Sequence, residues 1–81
     1  MNKYYFINRP PFYGTHPAEN LVEQKAFDYR QQVPELGERY FHGWATYSVP
    51  LPFEQIWQYE LYPADKDECI RYYEWRFEYD K

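Results

Sequence analysis

The side chains that could support catalysis or bind a metal are few and scattered. The possible zinc ligands are His16, His42 and Cys69, and they form no CxxC or HxxxH pair. A zinc site needs about four nitrogen or sulfur ligands, usually at close spacing. The sequence therefore predicts no metal site, with His16 as a loop residue and His42 as a half-exposed strand residue.

Nucleophilic catalysis requires a Ser or Cys beside a general base that a third group holds in place. Ser48 is the only serine, and no glycines flank it as they would in a nucleophile elbow. Cys69 follows acidic residues, which do not activate a thiol. The three glycines also lack a phosphate-binding spacing. We therefore expect no catalytic residue, no bound cofactor and no enzymatic activity.

Aromatic residues dominate the chain instead. It has 3 Trp, 11 Tyr and 6 Phe residues against ten branched aliphatic ones. Each ring covers roughly 150–250 Å², and a small core cannot hide so many. The core is expected to be built of rings, and the surplus to lie on an interacting surface. The candidate residues for that surface are Tyr40, Trp44, Tyr72, Trp75 and Tyr79.

The net charge of −4 arises in the C-terminal part of the chain. Residues 1–50 carry five basic and five acidic side chains, whereas residues 51–81 carry four and eight. Without a basic stripe, direct nucleic-acid binding lacks its main driving force. A single cysteine, a start without a long apolar run and the lack of a membrane-length apolar segment predict a soluble, cytoplasmic protein that binds no membrane.

Several segments have clear secondary-structure patterns. Residues 3–8 are aromatic and β-branched and predict a strand. Residues 39–49 alternate, which predicts a second strand with Phe41, Ala45 and Tyr47 on one face. After Pro52 a short helix is predicted by the spacing of Phe53, Ile56, Trp57 and Leu61. Residues 18–33 fit both a helix and a strand, and this alternative stays open.

The final segment, residues 66–80, also has two interpretations. Asp65 with Glu68 three residues later resembles a capping box, which favours a helix. On that helix Ile70, Tyr73 and Phe77 share one face, and Tyr72, Trp75 and Tyr79 form a second face that is exposed unless something covers it. The rival interpretation is a strand, because aromatic and charged residues alternate from residue 73 to residue 80. The local start signal favours the helix.

Together these elements predict one small domain over residues 1–81, of the α+β class. We expect an antiparallel sheet of two to three strands, with one or two helices packed on one face. So small a sheet has exposed edges. The surplus of aromatic residues suggests that a second copy of the chain covers one edge, which predicts a homodimer.

Four stretches of the sequence, YYFINRPP, GTHP, VPELG and PLPFEQIWQYELYPAD, resemble a group of small proteins carried on mobile genetic elements of gut Firmicutes. The resemblance spans most of the chain and includes no catalytic motif, so it implies no site residues. It does imply that the chain acts by binding a protein of the host or of the element.

Two functions agree with these features. The first is a protein-binding module, accessory or inhibitory, that acts through exposed aromatic residues with an acidic rim. The alternative is binding of a small ligand, a sugar or a nucleotide base, by aromatic stacking. A concave pocket lined by two or more tryptophans would favour the ligand, whereas a flat aromatic patch would favour the protein partner.

Overall fold

The fold is a four-stranded antiparallel sheet with two helices packed against its β4 edge, seen in a computed structural model that describes residues 2–79. The strands are β1 (Asn2–Phe6), β2 (Leu21–Gln32), β3 (Tyr40–Tyr47) and β4 (Leu61–Pro63), and the helices are α1 (Phe53–Gln58) and α2 (Lys66–Tyr79). A 3-10 turn, Pro34–Leu36, connects β2 to β3. The predicted α+β class is confirmed, but the sheet has four strands rather than two to three.

The strand order β2-β3-β1-β4 places β2 and β4 at the two edges. β1 lies between β3 and β4, so that Tyr5 pairs with Trp44 on one side and with Tyr62 on the other. On the far side of β3, Lys25 of β2 pairs with Trp44. All three strand pairs are antiparallel.

The main core lies between one face of the sheet and the two helices. β1 and β3 bury Tyr4, Phe6, Ala45 and Tyr47 there. Ile56 of α1 and Tyr72 of α2 pack onto them, together with Leu51 and Leu61. Four of these eight residues are aromatic, as the composition predicts, and the Tyr4 and Tyr47 rings meet edge to face at 5.9 Å.

A second, smaller cluster contains Tyr5, Val33 and Phe41. Phe41 was expected to share a face with Ala45 and Tyr47, and that prediction is wrong, because its ring packs against Tyr5 at 5.1 Å. Phe41 lies close to a register shift between Ala26 and Gln31 on the neighbouring β2. Burial still alternates along the whole of β3, but Phe41 is buried in the second cluster rather than in the main core.

The ambiguous segment 18–33 forms a strand, β2, over Leu21–Gln32. It begins directly after Asn20, whose φ of 66° makes the turn into the strand. All but two of its side chains are exposed, because the strand lies at a sheet edge that neither of the two described helices covers. Both faces of this edge strand are exposed to solvent, so its sequence shows no apolar alternation, and its periodicity was therefore ambiguous.

The helix predicted after Pro52 is present, but it is shorter than its apolar spacing indicates. It ends at Gln58, and Glu60 adopts a φ of 57° that no helix continues. Leu61 therefore begins β4, where it pairs with Phe6. The Glu60 carboxylate also accepts a hydrogen bond from Asn8 Nδ2 at 2.7 Å and forms an ion pair with Arg9. These contacts tie the turn between α1 and β4 to the end of β1.

The final segment is a helix, as its start signal predicts. The Asp65 carboxylate accepts a hydrogen bond from the Glu68 backbone N–H at 2.9 Å, which satisfies a donor of the first turn. The Glu68 side chain is buried, and its carboxylate accepts a hydrogen bond from the Tyr4 hydroxyl at 2.6 Å. The same hydroxyl accepts the Leu51 backbone N–H at 2.9 Å. One tyrosine thus joins β1, α2 and the connection before α1. Asp80, which the strand interpretation included, lies outside the described residues.

Candidate protein-binding surface

Three of the candidate contact residues lie together on α2, on the side that faces α1. Trp75 stacks on Tyr79 with ring centroids 5.2 Å apart and on Tyr72 at 6.1 Å, both at 25°. Their spacing of three and four residues places them on one helical face. α1 contributes Phe53 and Trp57, whose rings lie 5.8 Å and 6.5 Å from Trp75. We call these five rings the interhelical aromatic stack.

Burial falls steadily along the interhelical aromatic stack towards the end of α2. Tyr72 is 1% exposed, Trp75 is half-buried and Tyr79 is 58% exposed. Tyr72 therefore belongs to the core and is no surface residue. Its neighbours present only part of their rings to solvent, because they are stacked on one another.

The predicted orientation of α2 is inverted. Ile70 and Phe77 were expected on the covered face, yet they are 51% and 67% exposed. The opposite face turns inwards because Tyr72 reaches the main core and α1 supplies rings for Trp75 and Tyr79. Helical periodicity identifies both faces, but it does not show which of them meets the neighbouring helix.

The remaining two candidates, Tyr40 and Trp44, lie on β3 rather than on α2. Trp44 is half-buried, and the Lys3 ammonium lies 4.4 Å from the centroid of its ring. Tyr40 is 48% exposed and is covered in part by the Arg30 guanidinium at 5.3 Å. Both rings thus already have cations over them, in contacts worth about 0.5–1 kcal/mol each at exposed sites. The five candidates do not form one continuous patch.

A surface that sequence reasoning missed lies on the outer side of α2. The exposed Ile70 and Phe77 line a shallow groove of about 550 Å³ together with the half-buried Tyr73 and Cys69. Two exposed carboxylates, Glu74 and Glu78, border the groove. We call these six residues the outer α2 face. The i, i+3, i+7 spacing of Ile70, Tyr73 and Phe77 did identify these side chains, but as a covered face.

The outer α2 face continues into a second depression beside the 3-10 turn. Leu36, Tyr62 and Ala64 line it together with Cys69 and Ile70, and its volume is about 480 Å³. A hydrogen bond to Cys69, with a further contribution from burial, raises the pKa of Tyr62. Burial likewise raises the pKa of Tyr73, and the nearby Arg39 charge opposes this effect. Both phenols are therefore neutral at physiological pH and present an uncharged surface.

The cavity of about 580 Å³ at the start of α2 has a different character. Lys3, Asp65, Glu68 and Arg71 line it with Asn2 and several apolar residues, so it contains charges of both signs. Its two carboxylates already have structural partners, since Asp65 caps α2 and Glu68 binds the Tyr4 hydroxyl. No tryptophan is among the residues that line this cavity.

The histidines and the cysteine are placed apart from one another. His16 is buried and bonds through Nδ1 to the Pro17 carbonyl at 3.1 Å, His42 lies half-buried on β3, and Cys69 is a free thiol on α2. Within residues 2–79, no three His, Cys, Asp or Glu side chains converge in a metal-binding group. Neither described helix has the length and apolar character needed to cross a bilayer.

Residues 1–66 match the model of a protein family described as defence against restriction A C-terminal. The chain belongs to this family. The matched part contains all four strands and α1 and ends at the first residue of α2. No curated protein and no solved structure matches the chain.

Membership in the defence against restriction A C-terminal family links the chain to phages and mobile elements, the setting that the sequence resemblance implied. This membership is also compatible with a role as a small accessory protein. The expected source in gut Firmicutes stays a prediction. The outer α2 face lies wholly beyond the matched residues, as do three of the five rings of the interhelical aromatic stack, so the family match and the geometry of the outer α2 face are independent observations.

Proposed function

We propose that the chain is a non-enzymatic accessory module that takes part in defence against restriction by binding another protein through the outer α2 face. The observation that carries this proposal is the exposure of Ile70 and Phe77, 51% and 67%, which lie about two turns apart on one helix face. Family membership supports the setting, and this surface supports the mode of action.

The outer α2 face has the composition of a protein interface. Its centre is apolar, with Ile70, Phe77 and the neutral Tyr73 ring, and its border contains Glu74 and Glu78. A buried apolar centre inside a polar rim is the usual anatomy of such a contact. Because the rim is acidic, the complementary partner surface has apolar side chains surrounded by Lys or Arg.

The other ligand classes have less support. The rings that could stack on a sugar or a base, Trp57, Trp75 and Tyr79, are stacked on each other instead. Direct binding of nucleic acid is disfavoured by the net charge of −4 and by the two glutamates on this face. A protein partner needs neither an open ring face nor a basic patch.

The test uses the double variant Ile70→Ser/Phe77→Ser in the genetic element that carries the chain. The matched control is Phe12→Ser/Tyr13→Ser, which removes two exposed rings from the loop between β1 and β2. Survival of unmodified DNA is compared in a restricting and a non-restricting host. We expect survival in the restricting host to fall roughly tenfold or more for the α2 variant, as for loss of an interface centre, and to stay unchanged for the control.

A photoreactive residue identifies the partner in the same system. Placed at position 77 it should crosslink to one protein, and placed at position 13 it should not. Crosslinks to DNA, or equal survival of the α2 variant and the wild type with circular dichroism showing both folded, would contradict the proposed surface. Equal survival of elements with and without the chain would contradict the role in restriction itself.

A further inference from the structure

β2 leaves one long side of the sheet open. It pairs with β3 alone, and its side chains from Val22 to Ala26 are exposed on both faces. Such an edge presents unpaired N–H and C=O groups to which another strand can bond. The register with β3 is regular from Glu23 to Ala26, so this stretch offers a straight edge.

The direction of the backbone groups on this stretch follows from its contacts with β3. The Glu23 carbonyl accepts a hydrogen bond from the Thr46 hydroxyl at 3.4 Å, and the Lys25 carbonyl lies only 2.3 Å from the position that a Cβ on Gly43 would take. Both carbonyls therefore point towards β3. Because successive residues of a strand alternate in direction, the N–H and C=O of Gln24 point away from the sheet.

We propose that β2 pairs with β2 of a second copy of the chain, antiparallel, about a two-fold axis at Gln24. In this register Gln24 faces Gln24, and the two residues exchange backbone hydrogen bonds. Glu23 faces Lys25 on both sides of the axis, which gives two identical pairs of opposite charge. Beyond them the regular pairing ends at Val22, which lies at a register shift between Leu21 and Glu23, and at Ala26. The edge is self-complementary, as a two-fold interface requires.

The same charges exclude the neighbouring registers. A shifted pairing must still place outward-facing residues opposite each other, so the nearest alternatives are those with Gln24 opposite Val22 or Ala26. The first brings Glu23 opposite Glu23, and the second brings Lys25 opposite Lys25. Like charges directly opposite are destabilising. A lysine on a sheet edge commonly blocks pairing, but in the proposed register each one meets a carboxylate.

Two register shifts in β2, between Leu21 and Glu23 and between Ala26 and Gln31, limit the length of this contact without obstructing it. Residues 27–30 lie between the paired residues Ala26 and Gln31. In the proposed register they fall opposite residues 18–21 of the second copy, where the chain turns into β2 at Asn20. Tyr29, which is 85% exposed, then lies opposite that turn. So short a strand pair belongs to the small, weak end of protein interfaces.

Charge reversal provides a direct test by sedimentation equilibrium, with protein concentrations up to roughly 1 mM to cover weak association. The wild type should form a concentration-dependent dimer. Glu23→Lys and Lys25→Glu should each weaken it by roughly tenfold or more, because two symmetric pairs become repulsive. The double exchange Glu23→Lys/Lys25→Glu should restore it. An equimolar mixture of the two single variants should form a heterodimer, since all opposed charges are then complementary.

The matched control is Glu38→Lys, a charge reversal on an exposed residue outside β2 that should leave the dimer unchanged. Circular dichroism should show the same secondary structure in every variant, because both reversed side chains are exposed. A wild type that stays monomeric throughout, or single variants that associate as it does, would overturn the proposal. So would an equal loss of the dimer in the control. None of these results depends on restriction or on the outer α2 face.

Discussion

The two edges of the sheet are built in opposite ways. β4 has three residues, two of them buried, and both helices pack against it. β2 has twelve residues, none of them buried, and no helix within residues 2–79 covers it. The difference shows that the aromatic residues stabilise the molecule mainly at one end, so that the β2 edge is free of that role. Substitutions at the helical end, where α1 and α2 pack on β4, and at the β2 end should therefore have different effects.

The largest effect is expected from Tyr72→Ala at the helical end. The ring is 1% exposed and contacts the rings of Phe53, Tyr73 and Trp75, so its removal leaves a cavity between the sheet and both helices. We expect a loss of about 3–5 kcal/mol in the free energy of unfolding, measured by urea denaturation. Tyr29→Ala at the β2 end, where the ring is 85% exposed, should cost less than about 0.5 kcal/mol. Similar losses of unfolding free energy in the two variants would contradict the difference in aromatic packing between the two ends.

Gly43→Ala should destabilise the β2 end selectively. A Cβ at this position would lie 2.3 Å from the Lys25 carbonyl oxygen and 2.6 Å from Cδ of Pro11, so β2 must move away from β3. We expect a loss of about 1–3 kcal/mol, with faster hydrogen exchange in β2 than in β1 and β4. Gly37→Ala is the comparison, because a Cβ there meets no atom within 4 Å and introduces only backbone strain. Faster exchange throughout the sheet would contradict a local effect.

Tyr4→Phe should loosen the attachment of α2 while the ring packing stays intact. The variant removes the hydroxyl that binds both the buried Glu68 carboxylate and the Leu51 N–H. Leaving these buried groups without that partner should cost about 1–3 kcal/mol, measured by thermal unfolding. Glu68→Gln, whose amide oxygen can still accept the tyrosine hydrogen bond, should cost less. A larger loss of stability for Glu68→Gln than for Tyr4→Phe would show that the carboxylate charge, not the hydroxyl, attaches α2 to the sheet.

The smallest effect at neutral pH, and a large one in alkali, concerns the buried tyrosines. Burial raises the pKa of Tyr47 from 10.0 to about 12, and burial with the Glu68 hydrogen bond raises the pKa of Tyr4 still further. Because the folded-state values exceed the unfolded ones, this contribution to stability is complete below pH 10 and is lost as the pH rises from about 10 to about 12. Phenolate absorbance should therefore include a late phase, from the buried rings, that coincides with unfolding by circular dichroism. A single early phase with the fold intact would contradict the burial of these phenols.

Short sequence patterns predicted the elements whose formation depends on residues close together in the chain. The alternation of residues 39–49 identified β3, because side chains alternate between the two faces of a strand. The Asp65 and Glu68 pair identified α2, because the helix cap forms between residues three positions apart. β4 was missed, since three residues give no periodicity and its start depends on the positive φ of Glu60. The composition correctly predicted a core of rings.

The orientation of elements relative to each other could not be read from the sequence. Both faces of α2 are aromatic or apolar, and only the position of α1 decides that Tyr72 and Trp75 turn inwards. This choice reversed the predicted surface and placed Ile70 and Phe77 outside. The choice between helix and strand for residues 18–33 stayed open for a related reason. A strand with both faces exposed to solvent has no apolar pattern that would identify it.

The interhelical aromatic stack also gives the molecule an intrinsic optical signal. Trp57 and Trp75 lie on different helices, with indole centroids 6.5 Å apart and ring planes at 69°. Transition dipoles this close and this strongly inclined couple, so the pair should produce a split circular dichroism band that neither tryptophan gives alone. The third tryptophan, Trp44, lies in the other cluster and is not part of the pair. The docking of α2 on α1 can therefore be followed in the unlabelled protein, separately from unfolding of the sheet.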